Sequence, residues 1–209
     1  MADFAAHVQT HLALAGSALA IAMLIGIPLG TLAAHQAPLR SAVLAIVNIG
    51  RVLPSLAVLT FVLPSLGVGF RPAVVALVLL AIPPIAINTD LGFRSVPAAA
   101  LDAARGMGMT SKQMLTRVEW PLALPLIFAG LRTASVEVIA SATLAAFIGA
   151  GGLGEYITTG LQGNQPDKLL LGALSVAGLA LIVEVVLSLV QRRLQTSDSP
   201  EASPLGGTA

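Results

Sequence analysis

Five stretches of this 209-residue chain are apolar over the length that crosses a lipid bilayer, and they constrain its fold more than any other feature. A bilayer core of ~30 Å needs roughly 20 apolar residues in helical conformation. A helix satisfies every backbone N–H and C=O within one segment, which hydrocarbon requires. The sequence therefore predicts five membrane-spanning helices, at Leu12–Ala34, Ser41–Leu66, Pro72–Phe93, Leu122–Ile148 and Leu169–Val190.

The composition excludes several other classes of protein. Hydrophobic residues make up 56% of the chain and charged residues only 10%, whereas soluble domains carry roughly 25% charged residues. The net charge of +1 provides no basic field for a nucleic-acid partner. The absence of cysteine excludes disulfides and thiolate metal sites. We expect an all-α polytopic protein in a lipid bilayer, with no metal bound.

The distribution of lysine and arginine predicts the orientation, because cytoplasmic loops of membrane proteins are enriched in these residues. With the N-terminus outside, two basic residues face outward, Arg71 and Lys168. The cytoplasmic side then receives Arg40, Arg94, Arg105, Lys112, Arg117, Arg192 and Arg193. We therefore expect residues 1–11 outside the membrane, a domain over 12–193, and a polar, disordered cytoplasmic tail over 194–209.

A few polar residues and prolines fall at membrane depth, where they are costly and often functional. Glu137, Asn88 and Pro54 are candidates for lining a pathway, although a helix–helix contact or an ordinary proline kink explains each of them equally well. Asp90 and Arg94 are four residues apart and predict an interfacial ion pair. The three histidines (His7, His11 and His35) are too scattered for a metal site and are expected to be interfacial side chains.

The longest stretch with regular charge is Arg94–Pro121, and it predicts two short helices. Ser95 is placed to cap the first helix, which should end at the glycines of Gly106-Met107-Gly108. Thr110 and Gln113 have the spacing of a capping box for the second helix. Such a compact pair of helices favours docking to a partner over a plain surface connection.

Within this stretch, the residues resemble the "EAA" loop of importer-type ABC transporter permeases. That loop reads E-A-A, three residues, G, nine residues, then I-x-L-P. The spacing agrees throughout, with Asp, Val and Trp where the family has Glu, Ile and Leu. The matching positions are Asp102, Ala103, Ala104, Gly108, Val118, Trp120 and Pro121.

Further segments resemble the osmoprotectant subfamily, which carries glycine betaine, choline or carnitine. They are LPSLAVLTFVLPSLGVGF at Leu53–Phe70, NTDLGFRSV at Asn88–Val96 and IGAGGLGEYI at Ile148–Ile157. The last one holds a G-x-G-x-x-G pattern without the strand and helix of a dinucleotide site. We interpret it as a flexible external gate turn, formed by Gly149, Gly151, Gly152 and Gly154.

The resemblance implies a type I ABC importer permease fold in the cytoplasmic (inner) membrane of a prokaryote. It implies two ATP-binding subunits, and the loop 94–121 would dock in a cleft of the ATP-binding subunit. The residues it assigns to coupling are Asp102, Ala103, Ala104, Gly108, Met109 and Pro121. It also implies a second permease subunit, identical or paralogous.

The chain lacks the G-x-x-x-x-G-K-[ST] pattern that cradles nucleotide phosphates. ATP and Mg²⁺ are therefore expected on a partner ATPase, and this chain is expected to be a transport subunit with no cofactor and no enzyme activity of its own. One Trp, one Tyr and six Phe offer little for an aromatic cage, so an extracytoplasmic solute-binding protein is expected to provide selectivity.

Two alternatives stay open on the sequence. The chain could serve an importer for another small solute, such as an amino acid. It could also be a stand-alone channel or secondary transporter. The second alternative predicts transport without ATP and leaves the Asp102–Pro121 spacing unexplained. A non-transporting membrane scaffold is a third reading that the sequence favours less.

Overall fold

The computed structural model describes residues 2–52 and 54–196, and these form a helical bundle. Two short irregular helices interrupt the α-helices, a π segment at Leu115–Glu119 and a 3-10 segment at Ala142–Ile148. The α-helices are α1 Ala2–His35, α2 Ala37–Val52, α3 Ser55–Leu66, α4 Phe70–Arg94, α5 Ala98–Gly106, α6 Ser111–Met114, α7 Trp120–Ser141, α8 Gly154–Gln162 and α9 Pro166–Thr196.

Helix α4 is the centre of the bundle. It packs against α1, α2, α3 and α7, and about two thirds of its apolar window is buried. Leu77, Ala81 and Ile85 of α4 are buried in a core shared with α1, α3 and α7. By contrast, α9 packs on α7 and α8 and leaves most of its apolar surface exposed. Exposed apolar surface of this extent is what a bilayer or a protein partner covers.

Glycines allow α4 to approach its two main neighbours closely. A Cβ at Gly30 of α1 would fall 2.5 Å from Cβ of Thr89, and a Cβ at Gly130 of α7 would fall 2.6 Å from Cβ of Asn88. Gly26 belongs to the same α1 surface and faces Ile85. Helices in membranes associate through such small-residue contacts, because apolar burial from water does not drive them together there.

Four of the five predicted spans are helices long and apolar enough to cross a membrane: α1, α4, the run from α6 through the 3-10 segment, and α9. The second predicted span differs, because α2 and α3 meet at 92°. Pro54 lies at the bend with φ −59° and ψ 133°, outside the helical region, and it lacks a backbone donor. Counted as one broken span the pair makes five spans, and counted as a re-entrant loop it leaves four.

Two further features depart from the sequence expectations. The predicted external turn is followed by the helix α8, which packs on α9. The predicted tail begins later than residue 194, because α9 continues to Thr196. The remainder of that predicted tail, 197–209, lies outside the described residues.

Candidate functional site

The α5–α6 loop, residues 94–121, forms a hairpin at the end of the bundle where α1 and α4 finish and α7 begins. Helix α5 ends in a Schellman motif, in which the N–H of Met109 donates to the carbonyl of Ala104 (3.1 Å) and that of Gly108 to Arg105 (2.9 Å). Gly108 has φ +74°, a conformation that costs other residues energy. The glycine elbow predicted from the sequence is confirmed.

The second short helix, α6, begins with the predicted capping box. The backbone N–H of Gln113 donates to the Thr110 hydroxyl (3.4 Å), and the Thr110 N–H donates to the Gln113 side chain (2.9 Å). The prediction that Ser95 caps α5 is wrong. Its hydroxyl donates to the carbonyl of Gly92 (2.8 Å) at the end of α4, and Pro97 occupies the cap position of α5.

The proposed coupling residues differ in exposure. Asp102, Ala103 and Gly108 are exposed, Met109 is half-buried, and Ala104 is buried. Asp102 accepts a hydrogen bond from Arg105 (2.9 Å), and both side chains remain in solvent. The loop therefore presents the carboxylate and the exposed side chain of Met107 on a free surface. Pro121 lies in the first turn of α7, directly after the π segment.

Where the loop rejoins the bundle, aromatic and charged side chains from several elements contact one another. His35, the last residue of α1, lies 2.6 Å from a carboxylate oxygen of Glu119 in the π segment. The ring of Phe93 contacts His35 edge-on (5.2 Å between centroids) and packs against Trp120 (5.8 Å). The ends of α1 and α4 are thereby joined to the start of α7.

Asp90 is buried near the same end of the bundle, and its main partner is not the predicted one. Arg40 of α2 donates from Nε and Nη2 to the two carboxylate oxygens of Asp90, at 3.1 and 3.0 Å. The predicted ion pair with Arg94 also forms, but it is longer, at 4.0 Å. The bidentate geometry makes Arg40 the dominant counter-charge of Asp90. The ion pair of Arg40 with Asp90 joins α2 to α4.

The three candidate pathway residues do not form one cluster. Pro54 is exposed at the α2–α3 bend. Asn88 is half-buried at the contact of α4 with Gly130, and its amide donates to the carbonyl of Pro84 (2.8 Å). Glu137 lies on an exposed face of α7.

Glu137 borders a groove of about 490 Å³ between α7 and α9. Arg132 and Glu184 also line it and form an ion pair (3.0 Å). Gln191 accepts a hydrogen bond from Arg132 and donates to the carbonyl of Pro125. Charged groups on membrane helices face protein or water rather than lipid, so we expect protein or water, and not lipid, in this groove.

The predicted gate turn lies at the opposite end of the bundle. Gly149, Gly151 and Gly152 have φ of +70°, +80° and +87°, so the turn requires glycine at each position. Gly154 begins α8 and lies against the backbone of Thr143, leaving no room for a Cβ. The turn packs against the first part of α1.

Comparison with known proteins agrees with this architecture. The family described as "Binding-protein-dependent transport system inner membrane component" matches residues 26–196. The carnitine transport permease protein OpuCB of Listeria monocytogenes is 42% identical over 93% of this chain and 90% of its own length. The choline transport system permease protein OpuBB of Bacillus subtilis is 42% identical over 88% and 85%, respectively. The osmoprotectant import permease protein OsmY of Salmonella typhimurium is 42% identical over 89% and 80%.

Solved structures show the same fold. A chain of the MetNI methionine ABC transporter, in an inward-facing conformation, superposes with a TM-score of 0.84 at 25% identity, over 93% of this chain and 97% of that one. The apolar helices and these relatives make the chain a multi-pass inner-membrane protein and a transport component. It belongs to the family of binding-protein-dependent transport system inner membrane components, the permease subunits of ABC importers.

Proposed function

We propose that this chain is the membrane-spanning subunit of an ATP-driven importer for osmoprotectants such as glycine betaine, choline or carnitine. The observation that carries the proposal is 42% identity, along nearly the whole chain, to permeases named for carnitine, choline and osmoprotectant transport. Beyond family membership, the proposal names the class of solute and the source of energy for transport.

The source of energy is ATP hydrolysis on a partner. Two ABC ATP-binding subunits hold ATP and Mg²⁺, and a cleft in one of them receives the α5–α6 loop of this chain. The exposure of Asp102, Ala103 and Gly108 supports this docking, since a contact surface must be free to meet its partner. The buried Ala104 and the Schellman turn, to which Met109 belongs, hold the loop in one shape, and Pro121 lies where the loop rejoins the bundle.

The remaining parts of the proposal concern the pathway. The N-terminus and α8 lie outside, and the α5–α6 loop and the end of α9 lie in the cytoplasm, as the basic residues indicate. A second permease subunit, identical or paralogous, closes the pathway beside the groove that Glu137 borders. An extracytoplasmic binding protein delivers solute at the gate turn, and the bundles alternate between outward and inward access.

Uptake competition tests the solute class. In a strain without other betaine transporters, labelled glycine betaine uptake at high osmolarity should be lost on deletion of this chain and restored by it. Excess unlabelled choline or carnitine should reduce the restored uptake more than tenfold, and excess methionine should leave it unchanged. Restored uptake of methionine, without uptake of betaine, would mean that the transported solute is an amino acid and not an osmoprotectant.

A further inference from the structure

All three histidines of the chain lie on α1, and each one bonds a different element of the bundle. Near the start of α1, His7 bonds Glu155 of α8 and His11 bonds the backbone of α7. At its last residue, His35 bonds Glu119 of the π segment. The sequence alone assigns these side chains only to the membrane interface, because their partners are 84 to 148 residues away.

The contact at His35 joins α1 to the α5–α6 loop. Its Nε2 lies 2.6 Å from Glu119, and its Nδ1 lies 2.9 Å from the carbonyl of Thr31. Both ring nitrogens thus face acceptors, so only the doubly protonated ring can donate to both. The carboxylate of Glu119 is largely buried in this contact. Because Glu119 directly precedes α7, a displacement of the loop reaches α1 through this bond.

The contacts at the other end of α1 join it to the gate turn. His7 Nε2 lies 2.7 Å from Glu155, and its ring meets that of Tyr156 edge-on. His11 is fully buried, and its Nε2 lies 3.0 Å from the carbonyl of Ile139. A Cβ at Gly152 would fall 3.2 Å from His11 Nδ1, so the turn lies directly on this histidine.

Between these ends, α1 is one continuous helix of 34 residues, which spans about 50 Å at 1.5 Å per residue. It continues through Pro28, and Gly26 and Gly30 seat it on α4 on either side of that proline. Because the helix is unbroken, it joins the residues at its two ends by a single covalent and hydrogen-bonded element.

We propose that α1 is a strut that carries the displacement of the α5–α6 loop to the gate turn, with His35, His7 and His11 as its positioning residues. The proposal rests on the proposed function, because it assumes that the ATPase moves this loop. When the loop shifts, Glu119 pulls His35, and His7 and His11 shift α8 and the turn Gly149–Gly152. The strut thus links the movement of the ATPase subunits to the gate turn.

The first test compares transport with ATP hydrolysis in the purified complex. His35→Ala and His7→Ala should each reduce ATP-dependent uptake at least tenfold and leave the ATPase rate within twofold of wild type. His35→Gln, which keeps one donor for Glu119, should recover most of the uptake. Leu24→Ala, on an exposed part of the same helix, is the matched control and should have no effect.

A double variant distinguishes a shared role of the two histidines in one strut from two independent local defects. If both histidines belong to one strut, His7→Ala/His35→Ala should transport no worse than either single variant. Two independent defects so far apart would instead multiply their effects on uptake, and a multiplied loss would overturn the proposal.

A reporter at the turn tests the movement directly. The chain contains no cysteine, so Ala150→Cys, at a buried position of the turn, is a single thiol within it. In the otherwise unchanged complex, ATP with vanadate should alter its rate of maleimide labelling at least fivefold, and His35→Ala should remove that change. An unchanged ATP response in His35→Ala would overturn the strut. A parent complex with neither ATPase activity nor uptake would overturn the proposed function instead.

Discussion

Replacing Gly108 by valine should reduce ATP-driven uptake more than tenfold while the protein still inserts in the membrane. The elbow holds Gly108 at φ +74°, and the left-handed conformation costs an L-residue about 1–2 kcal/mol, with β-branched side chains among the worst. Relief of that strain breaks the Schellman bonds of Gly108 and Met109 and reorients α6. The loop would then no longer present Asp102 and Ala103 in one arrangement to the ATPase.

Gly106→Val is the matched control, two residues away. Gly106 ends α5 with ordinary backbone angles, and a Cβ there would meet no atom within 4 Å. Uptake with Gly106→Val should stay within twofold of wild type. Membrane levels measured by immunoblot should be equal for both variants. Normal uptake with Gly108→Val would remove the elbow from the coupling mechanism.

Replacing Arg40 by alanine should destabilise the fold clearly more than replacing Arg94, because it leaves the buried carboxylate of Asp90 without its main counter-charge. Arg94→Ala should cost less than about 1 kcal/mol, since Arg94 is half exposed and 4.0 Å from Asp90. Adding Asp90→Asn to Arg40→Ala should recover part of the loss, because the amide carries no charge to be compensated.

Unfolding in mixed detergent and SDS micelles, followed by far-UV circular dichroism, measures these differences. The order of stability should be wild type, then Arg94→Ala, then Arg40→Ala/Asp90→Asn, then Arg40→Ala. Equal losses for the two arginine variants would mean that Arg40 and Arg94 share the carboxylate, contrary to the geometry described here.

Local sequence patterns were enough to predict much of this fold. Four predicted spans appear as continuous helical runs, because runs of apolar residues determine them directly. The elbow at Gly108 and the box of Thr110 and Gln113 were predictable, since each depends on residues less than six positions apart. Ser95 shows the limit of the same approach. Its hydroxyl lies between two helix ends. It donates a hydrogen bond to a carbonyl at the end of α4 and does not cap the start of α5.

Contacts between distant parts of the chain could not be predicted from spacing. Asp90 and Arg94 have the pattern of a helical pair, yet Arg40 holds the carboxylate because α2 packs on α4 and brings a better-aligned guanidinium. The histidine contacts of α1 depend in the same way on which helices lie side by side. At Pro54 the sequence predicts at most a kink within one span, because apolar composition continues on both sides of the proline, whereas the structure has two helices that meet at 92°.

Import into proteoliposomes tests the central claim most directly, that this chain is the permease of an ATP-driven osmoprotectant importer. The complex would be purified through a tag on this chain, with its partners, and reconstituted with its binding protein and labelled glycine betaine outside. Uptake should require ATP and Mg²⁺ on the side of the ATPase, stop with vanadate, and fall more than tenfold without the binding protein. Equal uptake with and without ATP would contradict the account and make the chain a channel or secondary transporter.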